Sequence, residues 1–210
     1  MKKLDTSLYL VTDSTGLENS VFFKKTELAL KGGVTVVQLR EKEKNTREYI
    51  TMAERVKRLT GKYGVPLIID DRVDVALAVN ADGVHLGQSD MPVHMARKIL
   101  GENVIIGATA KTVEQAKDAY AQGADYLGVG AIYPTTTKVK TVITSVDTLI
   151  DICNEVPIPV NAIGGLNKDN IGILKNVPLS GICVVSAIMK SDNPCGAAME
   201  LKNILNDWRV

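Results

Sequence analysis

The run Gln38-Leu39-Arg40-Glu41-Lys42 sets an amide and two cations at alternate positions. Side chains alternate along an extended chain, so Gln38, Arg40 and Lys42 project to one side if the strand persists. Such a trio suits an anion, and the arginine fork can grip two phosphate oxygens at once. The plainer alternative is a solvated loop in which Glu41 pairs internally. Farther on, Asp70-Asp71-Arg72 and Gly87-Gln88-Ser89-Asp90 each close an apolar run with carboxylates. Two carboxylates can hold one Mg²⁺, a hard cation that keeps waters and takes substrate phosphates as further ligands. Equally, Asp90 could cap a helix beginning at Met91-Pro92, and Asp71 could be tied up by Arg72 or Asp74. Pro134-Thr135-Thr136-Thr137-Lys138 offers hydroxyls, amides and a point charge to a phosphate, or is a plain Thr-rich loop. Gly164-Gly165, ahead of a helix start at Asn167, and Ser186, ahead of Ala187-Ile188, are turns whose amides can bind phosphate.

Other chemistries find little support. His85 lies between Val84 and Leu86 and reads as a barrel histidine with its hydrogen bonds satisfied, and His94 falls on an outer helix surface. No Ser/His/Asp order or zinc spacing is present. Cys153, Cys183 and Cys195 are odd in number and lack CxxC spacing, which predicts free, mostly buried thiols in a reducing, cytoplasmic setting. The site reads as electrostatic, made to hold phosphates rather than to move protons.

These residues need a frame. Strand-like runs recur at Leu8–Val11, Val34–Leu39, Pro66–Ile69, Gly83–Leu86, Val104–Gly107, Tyr126–Val129, Ile158–Ile163 and Gly181–Val185. They repeat at roughly 25 residues, the size of one strand-turn-helix unit. Between them lie helical patterns. Thr46–Tyr63 carries Tyr49, Met52, Ala53, Val56 and Leu59 on one face, and Thr112–Gln122 carries Val113, Ala116, Ala119 and Tyr120. Asn45 or Thr46 caps the first, and Thr112 with Gln115 forms a capping box on the second. Gly32-Gly33, Gly64, Gly101 and Gly123 stand where helices end in a left-handed turn. Trp208, Met199 and Leu201 read as packing residues of the last helix. Eight such units without a linker predict one domain over residues 1–210, a minimal (β/α)8 TIM barrel. An open doubly wound sheet is the runner-up, but the first turn has no GxGxxG.

Charge and length bound the partners. Lys and Arg total 25 against 24 Asp and Glu, so no basic excess argues for nucleic acid. No apolar run is long enough for a membrane helix, and Met1-Lys2-Lys3-Leu4-Asp5 does not read as a secretory leader. Small phosphorylated molecules are the expected partners, with a homo-oligomer left open.

The motifs resemble the thiamine phosphate synthase family over nearly the whole chain. The resemblance rests on Tyr9–Asp13, Val37–Lys42, Gly83–Asp90, Gly128–Gly130, Pro134–Lys138, Ala162–Gly165 and Val185–Ile188, in that order. It implies a barrel transferase joining 4-amino-2-methyl-5-hydroxymethylpyrimidine diphosphate to a thiazole phosphate, or to its carboxylated form, with release of pyrophosphate. It also implies that Gln38, Leu39, Arg40, Glu41, Lys42, Asp70, Thr109 and Lys138 meet the pyrimidine diphosphate, with Arg40, Lys42 and Lys138 catalytic. Asp71 and Asp90 would bind one Mg²⁺, and Thr135, Thr136, Thr137, Gly165, Val185 and Ser186 would hold the thiazole phosphate. Diphosphate would leave first, and the thiazole nitrogen would capture the resulting pyrimidinylmethyl cation. The chain departs from the family pattern at Asp70, usually Asn, at Thr109, usually Ser, and along Val139–Ser145. Rival readings are a thiazole tautomerase, which would not need the diphosphate set, a catalytically silent phosphate-binding barrel, and a phosphosugar isomerase, for which no placed acid–base pair is found.

Overall fold

The computed structural model describes residues 4–135 and 142–208. Strands β1 (Leu8–Val11), β2 (Val36–Leu39), β3 (Leu67–Asp70), β4 (Gly83–Leu86), β5 (Ile105–Ala110), β6 (Tyr126–Gly130), β7 (Val160–Ile163) and β8 (Gly181–Val184) pair in chain order. Every pairing is parallel, and β8 returns to β1. The architecture is the expected (β/α)8 barrel. Strand ends differ slightly from the sequence runs. Val34 is excluded from β2 because its amide closes the end of the preceding helix on Ala29 O at 3.4 Å. β7 starts only at Val160, after Pro157 and Pro159, which have no N–H for a ladder.

The described helices are α1 (Asn19–Lys31), α2 (Thr46–Tyr63), α3 (Val73–Ala78), α4 (Val93–Leu100), α5 (Val113–Ala121), α6 (Val146–Glu155), α7 (Ser186–Met189) and α8 (Pro194–Asp207). α2 matches its expected bounds and buries the expected face, and Asn45 is its N-cap within a full capping box. On α5, Thr112 caps the Gln115 amide, but the Gln115 side chain returns to the Lys111 amide, one residue earlier than a capping box requires. Tyr120 is 44% exposed and Met199 is 50% exposed, so neither belongs to the buried face assigned to it. Gly32 also differs from expectation, with φ at −79°. Its missing Cβ serves packing instead, since one there would sit 2.6 Å from Ala198 Cβ, where α1 meets α8. No α-helix starts at Asn167. Asn167 and Asn170 side chains bond local amides at 2.8–2.9 Å, and the chain continues as a 3₁₀ turn, Ile171–Leu174.

Strand alternation divides the interior in two. Leu10, Val37, Leu39, Leu67, Ile69, Val84, Ile106, Leu127 and Ile182 face the helices in one large cluster. The opposite face builds a smaller inner cluster from Tyr9, Val11, Val36, Ile68, Tyr126 and Cys183. Glycines make room for its rings: a Cβ on Gly107 would strike the Tyr126 ring, and one on Gly128 would press His85 Cε1 at 3.2 Å. At the N-terminal rim Asn161 Nδ2 donates to Thr6 O at 2.6 Å, closing the barrel floor.

Gly181 sits where β8 meets β1, and a Cβ there would collide with the Thr6 carbonyl and Ser7 backbone. We expect Gly181→Ala to cost about 1–3 kcal/mol through forced separation of that seam. Urea unfolding checks this, and an unchanged midpoint would mean the seam yields freely.

Candidate active site

Pairing between neighbouring strands builds the C-terminal rim. Thr12 N donates to Gln38 O at 2.9 Å and Arg40 N to Thr12 Oγ1 at 3.2 Å, so β1 holds the chain extended past Leu39. Gln38 therefore points inward and is buried, Leu39 points outward into the core, and Arg40 returns to the inner side. On β3 the register repeats, with Ile68 and then Asp70 facing inward.

The cations of the first strand end meet the carboxylates of the second. Lys42 Nζ lies 2.8 Å from Asp70 Oδ2 and also bridges to Asp71 Oδ2, while Arg40 Nε stands 3.9 Å from Asp70. Arg72 is occupied by Asp74 at 2.5 Å, so Asp71 is not its partner. Glu41 is buried and turns away from this cluster. Its Oε2 accepts from Ser14 Oγ at 2.7 Å and faces Lys44 at 3.5 Å, while its Oε1 has no hydrogen-bond partner among the described residues. The internal pairing expected of Glu41 is thus met by Lys44, which leaves Arg40 and Lys42 to the rim.

Asp71 adopts φ +61°, a left-handed backbone uncommon outside glycine. Its amide donates to His85 O at 2.9 Å and Arg72 N closes on Asp70 O at 2.7 Å, which turns consecutive aspartates onto one rim. Left-handed residues of this kind store of order 1–3 kcal/mol and cluster at functional sites. Asp90 is not a helix cap. Pro92 holds the N-cap place of α4, and Asp90 Oδ2 folds back to accept from Gly87 N at 2.7 Å. Gln88 Nε2 donates to Thr109 O at 2.6 Å and ties that turn to β5.

The remaining expected residues that the structure describes fall on the same end of the barrel. Thr109 is on β5, with its hydroxyl 3.0 Å from His85 Nε2. His85 is satisfied as expected, its Nδ1 being 3.1 Å from the Tyr126 hydroxyl. Gly165 follows β7 at φ +65°, packed under Tyr133 and Pro134, and Val185 and Ser186 lead into α7. Thr135 closes the described part of its loop, whereas Thr136, Thr137, Lys138 and the start of the segment Val139–Ser145 lie outside the described residues. Cys183 is buried within the inner cluster, and burial pushes its thiol far above the ordinary range. Burial also raises the Cys153 thiol, to about 11, which disfavours the thiolate form at both cysteines.

Sequence reasoning missed the tyrosines. Tyr49 is buried on α2 and its hydroxyl donates to Leu39 O at 2.6 Å, with Asp70 O at 3.2 Å. It joins the ends of β2 and β3 that carry the charged cluster. Burial, with the Asp70 charge adding, holds its phenol far above the usual range, so the donor proton stays in place. Tyr9 and Tyr126 meet inside the barrel, 2.7 Å between hydroxyls. Their signal was in the sequence, since both stand at inward-facing strand positions beside Gln38 and His85.

Two carboxylates on adjacent strand ends suit a hard cation. Asp71 and Asp90 each use Oδ2 for the bonds above, and among the described residues no hydrogen bond takes their Oδ1 atoms. No group of three His, Cys, Asp or Glu side chains placed for a metal occurs among the described residues. This donor set fits Mg²⁺, which is commonly held by two carboxylates with waters and substrate phosphates completing the shell.

A (β/α)8 barrel whose rim joins cations, paired carboxylates and glycine turns defines a class of enzymes acting on phosphorylated small molecules. The family model described as "Thiamine monophosphate synthase" matches residues 8–188, and the chain belongs to that family. It is 48% identical to a thiamine-phosphate synthase of Clostridium tetani, covering 98% of this chain and 99% of that one. It is 47% identical to one of Methanobrevibacter smithii, covering 100% and 99% respectively. Thiamine phosphate pyrophosphorylase from Pyrococcus furiosus superposes with a TM-score of 0.89 at 39% identity, over 98% of each chain. Among the described residues no helix is long and apolar enough to cross a membrane.

Tyr49→Phe keeps the ring and removes the hydroxyl that links Leu39 and Asp70. We expect a loss of about 1–2 kcal/mol in urea unfolding, on the scale of a buried carbonyl left without its donor. An unchanged midpoint would separate the two strand ends from Tyr49.

Proposed function

We propose that this chain condenses 4-amino-2-methyl-5-hydroxymethylpyrimidine diphosphate with 4-methyl-5-(2-phosphoethyl)thiazole, forming thiamine phosphate and pyrophosphate. The observation that carries the reading is the convergence of Arg40 and Lys42 with Asp70 and Asp71 at one rim. The family's reaction asks for such an arrangement. The bond from the pyrimidinylmethyl carbon to the diphosphate oxygen breaks with its electron pair going to the leaving group. The thiazole nitrogen then supplies the pair that forms the new C–N bond. No proton need be removed for that displacement, so the main demand is compensation of leaving-group charge.

In this reading Arg40 grips the diphosphate through its fork, and Lys42 leaves its aspartate partners to meet it. Gln38 and Thr109 line the pyrimidine, and Lys138 adds a cation from its loop. Gly165 and the Val185-Ser186 backbone, with Thr135, Thr136 and Thr137, take the thiazole phosphate. Asp71 and Asp90 would hold the Mg²⁺, which would neutralise diphosphate oxygens. Asp70, where Asn is the family habit, adds a negative charge beside the anion site and restrains both cations. Leu39 and Glu41 contribute through the backbone run they belong to, since the Leu39 side chain is in the core and Glu41 faces Ser14 and Lys44.

The test is pyrophosphate release from purified protein. Release that needs both substrates and Mg²⁺ supports the synthase reading. No release, with thiazole phosphate still bound, would be the behaviour of an isomerase or a silent binder. Asp90→Asn divides the roles of that residue, because an amide oxygen can still accept from Gly87 N. We expect its thermal midpoint to stay nearly constant while the Mg²⁺ needed for half-maximal rate rises roughly tenfold or more. An unchanged Mg²⁺ titration would remove Asp90 from metal binding.

A further inference from the structure

Gln38 and Thr109, both assigned above to the pyrimidine substrate, are joined through the barrel interior by an unbroken file of hydrogen bonds. Gln38 Nε2 donates to Tyr9 Oη at 3.0 Å, and Tyr9 Oη is 2.7 Å from Tyr126 Oη. Tyr126 Oη is 3.1 Å from His85 Nδ1, and His85 Nε2 is 3.0 Å from Thr109 Oγ1. The members come from β2, β1, β6, β4 and β5, so nothing in their sequence spacing joins them.

The protons in this file can be counted. Each phenol carries one. Gln38 spends an N–H on Tyr9, which leaves the Tyr9 proton for Tyr126 and the Tyr126 proton for Nδ1 of His85. Nδ1 is then an acceptor, and the imidazole proton stands on Nε2 toward Thr109. Thr109 Oγ1 receives that bond, so its own proton is left for another acceptor. A proton on Nδ1 would turn the Tyr126 proton back onto Tyr9, whose own O–H would then face two donors inside a fully buried cluster. Ionising a phenol would not relieve the conflict, because burial holds Tyr9 and Tyr126 well above their ordinary range.

We propose that Tyr9, Tyr126 and His85 are positioning residues that impose one hydrogen-bond polarity between Gln38 and Thr109. They keep His85 as the neutral Nε2–H tautomer, present Gln38 Oε1 as an acceptor and present the Thr109 hydroxyl as a donor. An aminopyrimidine edge offers the complement, with an exocyclic N–H that donates and a ring nitrogen that accepts. The reversed polarity would present the opposite pair and place the imidazole proton on Nδ1. This inference rests on the substrate assignment of Gln38 and Thr109, but the tautomer can be read without it.

The chain has two histidines, so ¹⁵N–¹H spectra of the imidazoles are readable, with His94→Gln for assignment. We expect the ligand-free protein to show His85 as Nε2–H at neutral pH. Tyr126→Phe removes the donor to Nδ1, and the His85 signal should change to a mixture of tautomers. The same variant should raise KM for the pyrimidine diphosphate about tenfold, the scale of one lost hydrogen bond, with KM for the thiazole phosphate unchanged. Tyr9→Phe, the second variant if the first fails to fold, releases Gln38 alone and should raise the same KM while His85 stays Nε2–H. An Nδ1–H or doubly protonated His85 in the unaltered protein overturns the proposal, as does an unchanged pyrimidine KM in a folded variant. An Nε2–H His85 in a chain that releases no pyrophosphate would uphold the file and reject the substrate assignment instead.

Discussion

Everything at the rim depends on the ion cluster where β2 and β3 end side by side. Parallel pairing of adjacent strands leaves no choice about which side chains meet there. Gln38 pairs with Ile68, so Gln38 and Arg40 face the same space as Asp70, and the left-handed turn at Asp71 brings a second carboxylate within reach of Lys42. Without its aspartates the rim would carry unopposed cations. Without its cations it would gather unopposed carboxylates. Exposed ion pairs alone contribute little to stability, and Lys42 is 44% exposed at its side chain. The cluster therefore matters as a poised arrangement, with charge ready to move to a ligand, more than as a source of folding energy.

Behind the rim, the interior solves a different constraint. A barrel of eight strands has just enough inner space for its own side chains, and here these are phenols, an amide and an imidazole as well as aliphatics. Polar groups so deeply buried must find partners in one another, because an orphaned group costs more than the bond contributes. Inward glycines at positions 107 and 128 leave the width that the Tyr126 and His85 rings occupy. The same bonds that keep the interior satisfied fix Gln38 and Thr109, so packing and the placement of these two side chains share one set of contacts.

Much of this was legible in the chain. Eight apolar runs, the amphipathic face of Thr46–Tyr63 and its Asn45 cap were local signals, and local propensity agreed with the final fold. The charged rim was legible because period-two alternation holds wherever a strand stays extended. What escaped needed long-range geometry. That Asp90 folds back onto Gly87 rather than capping a helix depends on a turn whose closure competes with the cap. Asn167 and Asn170 preferred local amides to a helix, a competition that helical periodicity does not report. Tyr9, Gln38, His85, Tyr126 and Thr109 stand far apart in sequence, and only barrel closure aligns them.

The site turns on the restraint that Asp70 places on Arg40 and Lys42, the cations proposed to meet a diphosphate. The most direct test of that restraint is calorimetric titration of inorganic pyrophosphate into the unaltered protein and into Asp70→Asn, both with Mg²⁺. Removing that charge should tighten binding about two- to fivefold, the scale of a partly exposed ion pair. Equal or weaker binding by the variant would mean that Asp70 does not restrain those cations, and would contradict the account.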